Sequence, residues 1–313
     1  MKISAYTVGD ITVASSRLRS FYMFYASEKF GVKVFRNLKL WQSINCNYLH
    51  LQSCYKPKYL FQAIFFRLLL KKIVFDVSDI PKNKIHFIFF WGVAKVANSV
   101  TVPLETTRLF LGQYLNVNKI HVIPDVIDVC PEKLKQLNCL HRRPSKTFFW
   151  TGHPGNLDSI EGFIQDKRLR EQYQLIVITK LNDIQKFIDN YPWVTFLEWD
   201  VDSVLNCEVE MCYALLNHSF DEASQFKCEN KMVLSIAIGL IPIVSRTPAY
   251  EALAKKLNAD CLIFDNLSDV FDIVESLDLV WINNFKLRAK SFVLEYYSNE
   301  NIFSIFTSKC LIN

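Results

Sequence analysis

No window of this sequence reaches the roughly twenty uninterrupted apolar residues that a membrane-spanning helix needs. The nearest, residues 59–77, is broken by Gln62, Arg67, Lys71, Lys72 and Asp76, which excludes a bilayer span there. No secretory leader is expected, because residues 1–8 are too short for one and run into Gly9-Asp10. The nine cysteines include no Cys-x-x-Cys pair and no Cys/His spacing of zinc type. An odd number of them, scattered among apolar residues, points to reduced thiols rather than a disulfide framework. The basic residues form no long stripe and the net charge is only +5, so nucleic acid is not an expected partner. These absences imply a cytoplasmic protein.

What is present is a chain of 313 residues, half of them hydrophobic, which suffices for two cores of ordinary size. Phenylalanine is abundant, and several of the 25 copies cluster with basic residues between positions 59 and 91. That pattern fits burial in a core, and it also fits a surface touching the inner face of the cytoplasmic membrane. Short strand-like runs alternate with helical periodicity throughout, which predicts an α/β protein with mostly parallel, doubly wound sheets. Strands are expected at residues 2–7, 32–35, 48–51, 73–75, 99–102 and 119–123, and again at 147–151, 175–179, 194–197, 211–216, 241–245 and 261–264. Between the two sets, residues 124–145 hold three prolines and the basic run His141-Arg142-Arg143, a linker composition. The expected division is a first domain over residues 1–140, a second over 141–285, and a C-terminal helical segment over 286–313 that packs back on the first. Ligands of such sheets bind beyond the carboxyl ends of the strands.

Chemistry concentrates at a few of those ends. Residues 228–250 open with Glu229-Asn230-Lys231, continue through the apolar run 232–238, and stop at Gly239. This predicts a buried helix with a left-handed glycine cap, and a lysine beside its free amides suits a phosphate. Near the N-terminus, Ser15 or Ser16 is the expected cap of a helix whose first turn carries Arg17 and Arg19. Cations oppose the helix dipole there, so the arginines either meet an anion or are simply solvated. Asp76 and Asp79 follow a strand and could orient a substrate hydroxyl or cap the next helix. His50 lies between Leu49 and Leu51, on the opposite strand face from both, and carries no assigned role.

Five segments carry a resemblance: SSRLRSF at 15–21, KIVFDVSD at 72–79, ANSVTVPLE at 97–105, KIHVIPDVID at 119–128 and ENKMVLSIAIGLIPIVSRTPAY at 229–250. In this order and spacing the chain resembles the group-1 superfamily of GT-B glycosyltransferases. The resemblance implies two Rossmann-like domains facing across a cleft. It implies retaining, metal-independent transfer from a nucleotide-diphosphate sugar to a glycan or lipid-linked glycan, in the synthesis of a bacterial surface polysaccharide such as lipopolysaccharide or capsule. The donor would lie on the second domain, with Gly152, Gly155 and Asn156 at the diphosphate, Trp199 by the base, Glu229 and Asn230 near the ribose, and Thr247 and Tyr250 closing the pocket. Lys231 and Lys180 would balance the diphosphate charge. His153 would contact sugar or phosphate, though it reads equally well as a helix cap or an exposed side chain. Arg17, Arg19, Asp76 and Asp79 would serve the acceptor. No metal or other cofactor is implied, and Asp200-Val201-Asp202 reads as a solvated loop. The chain departs from the family at Leu234, where relatives carry a glutamate four residues after the asparagine, and at Cys212-Tyr213, where an aspartate is frequent. The departures leave open a noncatalytic sugar-nucleotide-binding partner of a glycan-assembly complex, or a sugar-nucleotide epimerase of the same fold.

Overall fold

The described strands form two six-stranded sheets, and every pairing in them is parallel. The structure is a computed structural model and describes residues 1–81, 83–134, 145–206, 213–218 and 222–312. His141, Arg142 and Arg143 of the expected linker, and Met211 and Cys212, lie outside these residues. The chain divides into one unit made of Met1–Pro131 with Tyr296–Asn313, and a second made of Glu132–Glu295.

In the first unit the strands are β1 (Lys2–Tyr6), β2 (Lys33–Arg36), β3 (Tyr48–Gln52), β4 (Lys72–Asp76), β5 (Ser99–Val102) and β6 (Ile120–Val122). Their order is β2-β1-β3-β4-β5-β6, so the winding reverses between β1 and β3. Strands covered on both faces read as continuous apolar runs, which is why β3 is buried along its whole length. One face is covered by the helices Pro57–Leu68 and Lys84–Val96, which bring Phe66, Phe90 and Val93 onto Phe75 and Val100. The other face packs Leu18, Tyr22 and Phe24 with Ile302, Phe303 and Phe306 against Ile3 and Ala5.

Two expectations need correction in this unit. The segment after β1 is helical but not uniform: residues Arg17–Tyr22 form wide π turns and Met23–Phe30 tight 3-10 turns, ending at Gly31 with φ 68°. Neither serine caps it. The cap position is Val13, and Ser16 Oγ instead accepts from the Gly9 amide (3.1 Å) and donates to Gln52 Oε1 (3.1 Å). The second concerns the C-terminal boundary, expected at residues 285/286. An unbroken helix, Leu279–Tyr296, crosses that point, with Ile282, Phe285, Ala289 and Val293 buried along it. The break comes at Ser298, whose hydroxyl accepts from the Asn301 amide and starts the helix Asn299–Phe306.

In the second unit the strands are β7 (Thr147–Thr151), β8 (Gln174–Thr179), β9 (Thr195–Glu198), β10 (Tyr213–Leu216), β11 (Ile241–Ser245) and β12 (Ile263–Phe264). The order β12-β11-β10-β7-β8-β9 reverses between β7 and β10. The helix Asn230–Ala237 joins β10 to β11 and is buried from Met232 onward. It ends as its sequence requires: Gly239 takes φ 84°, its amide bonds Ile236 O (3.0 Å), and the Leu240 amide bonds Ser235 O (2.9 Å).

Candidate functional site

The reversal between β7 and β10 places the end of β7, the end of β10 and the first turn of the helix Asn230–Ala237 at one edge of the second sheet. There the Lys231 ammonium donates to the Thr151 carbonyl at 2.7 Å and lies 5.7 Å from the Trp150 ring centroid. The residue keeps partial solvent contact, but its charged end is enclosed. Burial, reinforced by the charge of Lys227 and opposed by Cys228, pulls its pKa down to about 8. Among the described residues no carboxylate pairs with it.

The loop after β7 is tightly built. A Cβ on Gly152 would fall 2.6 Å from the Trp150 indole, so a side chain there would clash with a buried ring. The Gly152 carbonyl accepts from Thr179 Oγ1 at 2.8 Å, which ties β7 to β8. His153 caps the short helix Pro154–Ile160, its Nδ1 accepting from the Gly155 amide at 3.1 Å, as one of its readings expected. The Asn156 amide bonds the His153 carbonyl at 2.9 Å and the Gly152 amide points to Ile178 O at 3.4 Å. The three amides expected at a diphosphate therefore have partners inside the sheet edge and the turn. The tight turn that brings the loop to the edge also consumes these donors.

Around this centre the other residues expected on the donor side are placed variously. Lys180 follows β8 and is exposed, with no hydrogen bond or ion pair among the described residues. Trp199 follows β9, its amide on Thr179 O at 3.0 Å. Glu229 precedes the helix without capping it, and Asn230 opens it; both are half-buried. Thr247 is buried and caps the helix Pro248–Lys256 by accepting from the Tyr250 amide. The Tyr250 ring is fully buried, which raises its pKa, and its hydroxyl meets His218 Nε2 at 3.1 Å. Leu234 is packed away with Met232, Val233 and Ile236, so the position where relatives hold a glutamate belongs to the apolar interior here. Asp200 and Asp202 form a local turn: Asp200 Oδ1 accepts from the Asp202 amide (2.7 Å) and Asp202 pairs with Lys133 (2.8 Å).

Two residues at this edge escaped the sequence reading. His218 follows β10; its amide donates to Ser245 Oγ at 2.9 Å and its ring stacks on Tyr250 with centroids 5.5 Å apart. Asn217 donates from Nδ2 to the Ser159 carbonyl, linking β10 to the turn after β7. Their signal is position alone, directly after the strand at the reversal.

In the first unit the four acceptor candidates separate. Arg19 Nε and Nη2 both reach the Asp76 carboxylate (2.8 and 2.6 Å), and Nη1 reaches Asp125 Oδ1 (2.7 Å) and Ile123 O (3.0 Å). Arg17 forms a two-pronged pair with Asp128, at 2.6 and 2.8 Å. Burial opposes both positive charges, but the carboxylates outweigh it and raise both pKa values. The anion expected at this edge is thus internal, supplied by Asp76, Asp125 and Asp128. Asp76 is also bonded by Thr101 and is buried. Asp79 is exposed, and the following helix is capped by Asn83 rather than by either aspartate. The two carboxylates do not act together.

No protein-family model matches the chain, and no curated protein matches it in sequence. Its fold is similar to that of solved structures. Anabaena HepE in complex with UDP and glucose aligns over 98% of both chains at 12% identity with a TM-score of 0.70. An alpha-glucosyltransferase in complex with UDP and a 13-mer DNA containing a HMU base aligns over 99% of this chain and 97% of that one, at 10% identity and a TM-score of 0.64. Trehalose-6-phosphate synthase OtsA aligns over 94% of this chain and 76% of its own, at 12% identity and a TM-score of 0.57. At these identities the likeness shows the fold: GT-B, built from two Rossmann-like units, as the sequence led us to expect.

Proposed function

We propose that the chain transfers a glycosyl group from a nucleoside-diphosphate sugar bound at the carboxyl edge of the second sheet. The observation that carries this reading is Lys231, an enclosed cation held on a backbone carbonyl at the reversal point, with no carboxylate partner among the described residues. A diphosphate there would hold the lysine in its charged form. As the glycosidic bond breaks, negative charge grows on the leaving diphosphate, so a fixed cation stabilises the transition state more than the bound donor. Two of the similar structures quoted above were solved with UDP, which supports uridine diphosphate as the carrier.

The other roles follow from placement. Lys180 supplies a second, exposed positive charge, and the leaving group is assigned to these side chains and to no metal. His153, its Nδ1 occupied by the Gly155 amide, carries its proton on Nε2 when neutral and can donate to sugar or phosphate. Asp79, the one exposed member of the acceptor set, is assigned to the acceptor. The finer reading is retaining transfer to a glycan or lipid-linked glycan in bacterial surface polysaccharide synthesis, in the cytoplasm at the membrane face. It rests on the order and spacing of the sequence motifs. Leu234 supports one alternative, binding without transfer, because no carboxylate stands at that point of the helix.

Calorimetric titration with UDP and a panel of UDP- and other nucleotide-sugars tests both. The proposal expects binding that Lys231→Ala weakens at least about thirtyfold, an order of magnitude set by one charge-assisted contact. Binding with no UDP release from any sugar nucleotide would favour the noncatalytic alternative. No binding of any nucleoside diphosphate overturns both.

A further inference from the structure

The helices Pro57–Leu68 and Lys84–Val96 pack closely together on the first sheet. Where they touch, a Cβ on Gly92 would lie 2.9 Å from a Leu60 methyl, so the glycine allows the approach. Their inner faces supply Ala63, Phe66, Phe90 and Val93 to the core. Their outer faces should then be polar. They are not: Phe61, Ile64, Leu68 and Leu70 from the first helix and its end, with Ile85 and Ile88 from the second, stand in solvent. Phe61 is 70% exposed, Leu68 76% and Ile88 66%. Large apolar side chains exposed in this number on two adjacent helices mark an interaction surface.

Charge says which kind. Between residues 56 and 102 the chain has eight lysines and arginines and two acidic residues, and one of those two, Asp76, is buried against Arg19. Lys58, Arg67 and Lys84 are exposed on the same helices. A second copy would bring like charge against like charge. Leu70 adds an independent observation. It holds φ 56°, in the left-handed region where leucine is disfavoured and glycine or asparagine is at ease, and it is 91% exposed. Neither packing nor backbone geometry accounts for a leucine there, directly before Lys71-Lys72.

We propose that this face docks on an anionic lipid bilayer, with the apolar side chains entering the acyl boundary and the flanking lysines and Arg67 at the level of the phosphates. The inference does not rest on glycosyl transfer. The test is flotation of the full chain with liposomes of phosphatidylcholine alone, or of phosphatidylcholine with a third phosphatidylglycerol. Binding is expected to the anionic vesicles only, and to fall as salt rises. Phe61→Ser with Ile88→Ser should weaken partitioning at least about tenfold, the scale set by two buried side chains. Leu70→Gly should weaken it while leaving the melting temperature unchanged or higher, which separates lipid contact from folding. UDP titration of the same variants should match the parent chain, so failure of this surface and failure of the donor site are distinguishable. The proposal is overturned by absence of binding to anionic vesicles, by partitioning that the substitutions leave unchanged, or by a solution dimer that the double substitution converts to monomer.

Discussion

Arg19 and Asp76 meet inside the first unit, 57 residues apart in sequence, with two guanidinium nitrogens on one carboxylate and both side chains almost wholly out of water. Removing one partner of such a pair strands a charge in a medium that solvates it poorly. Arg19→Met, which takes away the cation that Asp76 and Asp125 share, should therefore destabilise the first unit by about 3–5 kcal/mol, read by urea denaturation. Replacing all three charged groups, Arg19→Met with Asp76→Leu and Asp125→Leu, should cost less than the single change, because no buried charge is left without its counter-charge. A single change that costs nothing would show that water reaches the pair.

His50 gives the first unit a pH dependence of its own. It is buried between Phe24 and Phe306, neither ring nitrogen has a hydrogen-bond partner among the described residues, and burial lowers its pKa from 6.5 to about 4. Asp76 opposes that shift and Arg19 adds to it. Below pH 6.5 the unfolded chain takes up a proton that the folded chain refuses until about 4, so stability falls with acidification across that window. The loss should approach about 3 kcal/mol, and His50→Leu should remove it. Denaturation midpoints of the two proteins should converge or cross between pH 7 and 4.

Gly152 is held against Trp150 more tightly than any side chain permits. Gly152→Ala should force the loop or the indole to move, at about 1–3 kcal/mol in melting experiments. If the loop is part of the donor site, UDP affinity should fall further than Gly155→Ala makes it fall, since a Cβ at Gly155 would meet only His153 Nδ1 at 3.4 Å.

Lys231 should impose a pH limit on donor binding. Its pKa is depressed to about 8, so the free site is charged below that value and loses charge above it. UDP affinity should be level from about pH 7 to 8 and then weaken by up to about tenfold per pH unit. Lys231→Met should bind weakly and without that slope.

The sequence showed the elements and the edge better than it showed the contacts. The described strands begin and end within two residues of the expected runs, and Gly239 announced its own left-handed turn. Helix composition and periodicity are local, so they survive without coordinates. The partners of Arg17 and Arg19 are not local: Asp128 and Asp125 lie more than a hundred residues downstream, and nothing near the arginines points to them. The π turns that carry both guanidinium groups inward have no propensity signature. His218 and Tyr250 likewise meet only because β10 and β11 are neighbours. The loop after β7 reads as a glycine-bearing turn, while the bonding of its amides to Ile178 O, His153 Nδ1 and His153 O has no mark in composition.

The first unit is closed by residues that arrive late. Ile302, Phe303, Phe306 and Leu311 share one core with Ile3, Ala5 and Leu18, and the whole second unit lies between them in sequence. On a ribosome adding about 5–20 residues per second, the apolar face beneath Leu18 and Phe24 waits on the order of ten seconds for its cover. The second unit, being continuous, can complete its fold during that interval. An N-terminal half with an open sheet face is the species most exposed to misassembly during synthesis, and truncation before Asn299 would leave it permanently in that state.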